Sequence, residues 1–546
     1  MFRKDSLKLK HLSILFFFTV FLLGILLFKD YGVSLDERFH RNNALFWHDY
    51  AKSFISDRNS SAANDSINLL NEKIKNKDDF ISGVPSIQPV PLAILYEFFV
   101  EAANLKNSKD IYQYRHLYNF IIYFLGLFFF YRLIYNKYGT YFYSLLGCLF
   151  LFLTPRFFSE SFYNPQDIFF LSLTIINMYT GINFLRKPNF KNTFSFSLSS
   201  ALSIDTRIMG FVSVFVILLF FVLKLLRSKK FSQNNSKFIF YSIPLIFLLI
   251  VIFWPFLWGS PFKNFVFALS ELSSVKFFVT NLYFGQYISS IAVPWHYHIV
   301  WIGITSPIII ILLFLIGLFF LLRRIVFRIM KLNEDFNDIW RGDKEMSDIY
   351  FLIIIILSIY LFINQSLGYS GWRHLYFIYP SIIMIALSGF YYLHFFIKIK
   401  FFRFLFYTFV IMNLSYLAYW NYKFHPYQYV YFNLMFKNNF NNNFDKDYWG
   451  LSNKNSLEYI IKNSTNFPVK IATKSFASLE RSSLILKDEE KNKILITHNL
   501  SEADFIISNY MPKRTKDFSI DKKKYKKYYE VLVDNKAINT VYKKIK

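Results

Sequence analysis

HLSILFFFTVFLLGILLF, His11 to Phe28, runs almost directly into YGVSLDERFHRNN, Tyr31 to Asn43, and this junction sets the reading of the whole chain. An apolar run of that length is long enough to enter a bilayer as a helix. Beyond its end come two adjacent carboxylates, Asp36 and Glu37, where hydrocarbon would meet water. The preceding MFRKDSLKLK is basic, and no small-residue cleavage site follows. The run is therefore expected to be an uncleaved span with its N-terminus in the cytoplasm.

The rest of the chain repeats this pattern. Of 546 residues, 54% are hydrophobic and 22% aromatic, with 70 Phe and 39 Tyr, far beyond the apolar share of an ordinary soluble domain. Further apolar stretches are expected as spans at 117–135, 141–157, 168–185, 194–208, 210–226, 238–258, 299–322, 350–364, 375–397 and 402–421, about eleven in all. The net charge of +26 raises nucleic acid as a partner. The basic residues fall in short connectors between apolar runs, so positive-inside sorting explains them and nucleic acid is set aside. With the N-terminus inside, Lys137, Arg186, Lys191, Lys224, Arg227, Lys230, Arg324, Arg328, Lys400 and Arg403 all fall on the inner side. The threading is most exposed to error at 194–226, where IDTR, Ile204 to Arg207, must separate two short helices. A single bent span there would invert everything downstream.

This threading gathers the polar words on the outer face: LDERFH, the loop 29–111, TPRFFSESFYNPQD, IDTR, PWHYH, GYSGWRHLYFIYP and everything after Asn421. Cys148 is the single cysteine, so no disulfide framework or thiolate metal cluster is possible. The richness in Lys, Asn, Ile and Phe is that of an AT-rich bacterial genome, which makes the bacterial cytoplasmic (inner) membrane the expected location.

In these words the chain resembles the GT-C superfamily of membrane glycosyltransferases, near the family that includes protein O-mannosyltransferases and the aminoarabinose transferases acting on lipid A. PRFFSESFYNPQD, PWHYHIVWIGITSP, GWRHLYFIYP and HPYQYVYFN followed by FDKDYWG are similar to those of a bacterial branch, and the likeness extends to about Gly450. Asp205 departs from it, since a neutral residue is expected before Arg207. The resemblance implies a GT-C fold and inverting transfer of a sugar from a polyprenyl-phosphate carrier to a glycan, lipid or protein acceptor at the outer face. It also places the catalytic acid at Asp36 or Glu37.

The chemistry suits that implication. An acceptor hydroxyl needs a base, and Asp36, the first carboxylate after the span, is the preferred one, with Glu37 orienting the acceptor, binding a metal or idle. Alternatively the pair only ends the helix at the interface. The departing lipid phosphate needs cations, for which the planar fork of arginine is suited. Arg207, Arg373 and Arg156 are the candidates, with a buried partner, an aromatic-belt anchor and an interfacial snorkeler as their respective structural alternatives. Asp167, His296, His298, His374 and Asp447 are candidates for the substrate groove. NPQD also reads as a helix start, with Asn164 as cap and Pro165 in the first turn. His296 and His298 lack a third ligand at recognisable spacing, so a divalent metal is unsupported and no cofactor is assigned.

Domains are expected at 1–422 (membrane transferase), 423–452 (an outer aromatic and polar surface segment or acceptor platform) and 453–546 (a small outer α/β domain). In the last, NSLEYIIKN suggests a helix, while PVKIAT, KILIT, DFIISNY and the hairpin-like EVLVDNKAINTVY suggest strands. KKKYKK, Lys522 to Lys527, reads as a solvated face or a contact for anionic headgroups or an acidic glycan. Within the outer loop, Val90 to Leu105 has helical spacing and is expected to lie on the membrane, with Glu97 and Glu101 on its polar side. A flippase for an amphipathic lipid is the rival reading, though no internal repeat supports it. An inactive scaffold is the third.

Overall fold

The computed structural model describes residues 7–56, 86–227, 229–274, 278–331, 340–436, 442–511 and 520–545. Residues 57–85 of the long loop lie outside the described residues. The rest form a polytopic α-helical membrane protein with a small α/β unit at one end. In chain order the helices are α1 (Leu7–Leu27), α2 (Glu37–Ser56), α3 (Pro91–Ala102), α4 (Ser108–Tyr138), α5 (Tyr141–Phe152), α6 (Pro155–Tyr163), α7 (Asp167–Arg186), α8 (Phe190–Thr206), α9 (Gly210–Arg227), α10 (Lys229–Phe253) and α11 (Pro261–Ser274). A hairpin of β1 (Thr280–Tyr283) and β2 (Gln286–Ser289) follows, then α12 (Tyr297–Thr305), α13 (Ile308–Met330), α14 (Gly342–Gln365), α15 (Tyr379–Phe396), α16 (Lys400–Lys423) and α17 (Ser452–Asn463).

Nine helices among the described residues are long and apolar enough to cross a membrane, and α5 with α6, bent by 69° at their junction, makes a tenth if the pair is counted as one span. The eleventh expected span is α8, which has 17 residues. The bend falls where Thr154 turns extended and Pro155 begins a new helix. The span expected at 299–322 begins later, because Pro307, in an extended conformation, separates α12 from α13. The 194–226 stretch is indeed two helices. Gly210 opens α9 so close to α8 that an added Cβ would lie 2.7 Å from the Ile204 nitrogen.

The two ends of the bundle differ in chemistry. At one end the basic connectors are tied to acids of α14: Lys137 and Arg324 meet Asp348, Arg186 meets Asp343 at 3.4 Å, and Arg328 meets Glu345 at 2.7 Å. The polar words collect at the other end. There α3 packs against α2 with Glu97 turned inward, not along a polar outer face. Burial next to Arg115 (3.2 Å) and Arg41 (3.5 Å) explains this, and Leu95 and Phe99 are left outward instead.

Much of the described chain after Asn421, residues 427–433 and 444–449, is interior and not surface. Tyr429, Tyr431, Phe432, Tyr448 and Trp449 are all buried. Their rings fill the seam between α6, α12 and α16, and the polar groups of the segment find internal partners, such as Asn433 Nδ2 donating to Gly303 O at 2.7 Å. Beyond it, α17 packs on a sheet of β3 (Val469–Thr473), β4 (Ile494–Ile496), β5 (Phe505–Ser508), β6 (Tyr525–Val533) and β7 (Lys536–Lys544), in the order β4-β3-β5-β7-β6. Asp534 and Asn535, both at positive φ, make the β6–β7 turn. Lys526 and Lys527 lie exposed on β6, the edge strand, where lysines discourage pairing with another chain.

Candidate functional site

The chain from α1 turns into α2 through Ser34–Asp36. Glu37, the first residue of α2, reaches back to accept from Ser34 N–H at 2.6 Å, while its other oxygen meets His116 Nε2 at 3.1 Å. Both partners are fully buried, so Glu37 is locked into the turn. Asp36 remains the more open of the pair, with its side chain 28% exposed and one oxygen 2.6 Å from Arg373 Nη1.

Arg373 follows Trp372 at the start of the span that ends with α15. Its guanidinium lies between the rings of Tyr369 (4.9 Å) and Trp449 (4.7 Å), and the same Nη1 is 3.5 Å from Asp167. Asp167 in turn takes a hydrogen bond from Arg207 Nη2, and Gln166 Oε1 accepts from the same nitrogen at 3.4 Å. Four segments distant in sequence thus build an alternating row, Asp36, Arg373, Asp167, Arg207. The Nε atoms of Arg373 and Arg207 are buried with no hydrogen-bond partner among the described residues. Unpaired buried donors are costly, and an anion between the two arginines would satisfy them.

The electrostatics follow from these contacts. Burial works to raise the Asp36 carboxyl, yet Arg373, aided by His40 and Arg481, holds it below the ordinary range. Burial pushes His40 down to about 4, against the pull of Asp36, so this neighbour is a neutral imidazole at pH 7.

NPQD does start α7. Asn164 Oδ1 accepts from Asp167 N–H at 3.0 Å, and its amide donates to Asp167 Oδ2 at 3.0 Å, although regular helix begins only at Asp167. Arg156, by contrast, is not in the row. It is 1% exposed, faces the rings of Trp301, Phe432 and Tyr448, and donates to Tyr448 Oη at 3.0 Å.

Tyr448 and Tyr376 both donate to Glu160, at 2.9 and 2.7 Å, and Asn164 donates to its other oxygen at 2.8 Å. A buried chain therefore leads from Arg156 through Tyr448, Glu160 and Asn164 to Asp167. Glu160 stands in TPRFFSESFYNPQD without any local feature that marks it, and Tyr448 and Trp449 are aromatics in a segment read as surface.

Of the remaining candidates, His374 borders the row through Tyr369, the ring against Arg373. His296 bonds Tyr283 Oη at 2.6 Å, and His298 meets Leu367 O at 2.8 Å. Asp447 is held by Tyr429, Ser452 and Leu451 N–H, which ties it to the start of α17. Asp205 is fully buried with no partner for either oxygen among the described residues, and nothing in the structure explains it. Among those residues no three His, Cys, Asp or Glu side chains gather as a metal-ligand group.

No family model matches the chain, and no curated protein matches it significantly. Among solved structures it is similar to ArnT from Cupriavidus metallidurans, crystallised with undecaprenyl phosphate bound. The TM-score is 0.46, with 9% identity over 97% of this chain and 98% of that one. At that level the likeness carries no functional argument.

Proposed function

We propose that the chain is an inverting glycosyltransferase that moves a sugar from a polyprenyl-phosphate carrier to an acceptor at the outer face of the membrane. The observation that carries this reading is the row Asp36–Arg373–Asp167–Arg207, with a partly open carboxylate at one end and two arginines holding unpaired buried N–H donors beside it. In this reading Arg373 and Arg207 take the carrier phosphate through those donors. Asp167, backed by Asn164 and Glu160, keeps the two forks in place.

Phosphate then competes with Asp36 for Arg373. As the guanidinium turns to the incoming anion, Asp36 loses the partner that holds its carboxyl down and becomes a better base. The acceptor hydroxyl gives its proton to Asp36 and its oxygen bonds to the anomeric carbon from the face opposite the phosphate. The anomeric carbon–oxygen bond breaks, and its electron pair leaves with the lipid phosphate, whose charge the arginines share. No acid is required, because phosphate leaves as an anion. Glu37 supports the turn that aims Asp36.

Transfer from a labelled polyprenyl-phosphate sugar by the purified, lipid-reconstituted protein is the test. Asp36→Asn keeps the shape but cannot accept the proton, and it should slow transfer by roughly 10² to 10⁴ while the protein stays folded. Full activity in that variant would remove Asp36 as base. Movement of the carrier across the bilayer with no sugar transferred would replace this reading with that of a flippase.

A further inference from the structure

A cavity of about 410 Å³ opens between the β1–β2 hairpin, the segment after residue 441 and the α/β unit. Tyr287 comes from the hairpin, Asn442, Asp445 and Lys446 from the segment, and Asn509 and Tyr510 from the end of β5. None of these residues belongs to the row around Asp36. The cavity is within the size range of small-ligand sites.

Its lining combines aromatic rings with short, fixed polar groups. Asp445 is 7% exposed, and its one hydrogen bond among the described residues comes from Leu282 N–H at 3.1 Å, although a carboxylate can accept about four. Lys446 Nζ lies 5.0 Å from the Tyr510 ring centroid and donates to Ala537 O at 3.0 Å. Tyr510 is held at φ +60°, an uncommon conformation for an aromatic residue, and its hydroxyl meets Thr540 at 2.5 Å. Asn509 is fixed by donating to Asp447 O at 2.8 Å. Rings beside a carboxylate with spare acceptor capacity match a sugar, whose C–H faces lie on aromatics while its hydroxyls donate to carboxylate and amide.

The cavity is tied to the row by the chain itself. Tyr448, in its wall, bonds Arg156 and Glu160, and the next residue, Trp449, covers Arg373 and accepts from Leu35 N–H at 2.9 Å.

We infer that this cavity is a binding site for a sugar residue of a glycan acceptor, with Asp445 and Tyr287 as its principal contacts. The inference rests on the transferase reading for the word acceptor. Its test measures binding alone, so that the two can fail separately.

The full chain in lipid nanodiscs is titrated with methyl glycosides of a hexose, an N-acetylhexosamine and a uronic acid, and with a short Ser/Thr peptide. Saturation-transfer NMR reads the binding. At least one glycoside should bind, and Asp445→Asn and Tyr287→Ala should each weaken it about tenfold, while Lys526→Ala on the edge strand leaves it unchanged. In Asp445→Asn an amide oxygen still accepts from Leu282 N–H, so the hairpin keeps its anchor, and a melting temperature equal to that of wild type at pH 4, where the buried carboxyl is protonated, confirms folding. Absence of glycoside binding, binding that survives both substitutions, or Asp445-dependent binding of the peptide alone would each overturn the inference. Loss of sugar transfer with glycoside binding intact would count against the transferase reading only.

Discussion

Asp36 and Glu37 are neighbours in sequence with opposite surroundings. Glu37 is fully buried against His116 and Ser34 N–H, and breaking a buried pair by removing one partner typically costs about 3–5 kcal/mol. Glu37→Ala should therefore lower the melting temperature and yield, and Glu37→Gln, which keeps an oxygen for Ser34, should do less harm. A stable Glu37→Ala protein with no activity would instead give Glu37 a direct chemical role. Arg373 invites a finer comparison, because it serves Asp36 and Asp167 through one nitrogen and lies between two rings. Arg373→Lys keeps the charge but neither the fork nor the flat face for Tyr369 and Trp449, so it should recover only part of the donor affinity lost in Arg373→Gln. Donor KM and turnover measured on both variants check this, and full recovery by Lys would reduce the contact to a point charge.

α13 and α15 approach so closely that a Cβ on Gly317 would lie 2.0 Å from Ile385 O, and one on Gly389 would lie 2.0 Å from Leu313 O. Small residues let helix backbones meet in a membrane, where no hydrophobic force drives them together. Gly389→Leu should force the two helices apart and cost about 1–3 kcal/mol or more, read as a fall in thermal stability in detergent. Unaltered stability would mean the helices do not meet there.

The seam at Asp445 carries a pH signature. Burial pushes its carboxyl up to about 7, so between about pH 4 and 7 the folded protein holds a proton that the unfolded chain has released. Stability contributed by this group is therefore greatest at low pH and declines as pH rises through that window. Asp447, raised to about 6 by burial, adds in the same direction, whereas Lys446, lowered to about 8, acts outside it. The melting temperature of Asp445→Asn minus that of wild type should grow from pH 4 to 8, and a flat difference would contradict the burial.

For the molecule as a whole, the separation of the two ends implies an orientation. By the positive-inside rule the basic connectors paired with α14 acids are expected in the cytoplasm, with the Asp36 row and the α/β unit on the outer side. Reporter fusions after Lys230, Gly368 and Lys546 should report inside, outside and outside. A cytoplasmic signal at either of the last two would invert the arrangement.

Much of this architecture was legible in the chain, for physical reasons. A bilayer demands long apolar runs and sorts basic residues to one side, so spans, their alternation and the separation at 204–210 follow from local composition. The strands and hairpin of the α/β unit follow from β-branched alternation and a turn pair. Asp36, Arg373 and Arg207 stood out because charge at a membrane boundary is conspicuous. What no local pattern contains is which distant groups meet. That Glu37 is spent on His116, that Arg156 serves Tyr448 and through it Glu160, that Asp167 links two arginines, and that residues 427–433 and 444–449 are core and not surface all depend on contacts between residues 40 to nearly 300 positions apart. Composition is summed along the chain, whereas pairing is fixed only when the helices pack.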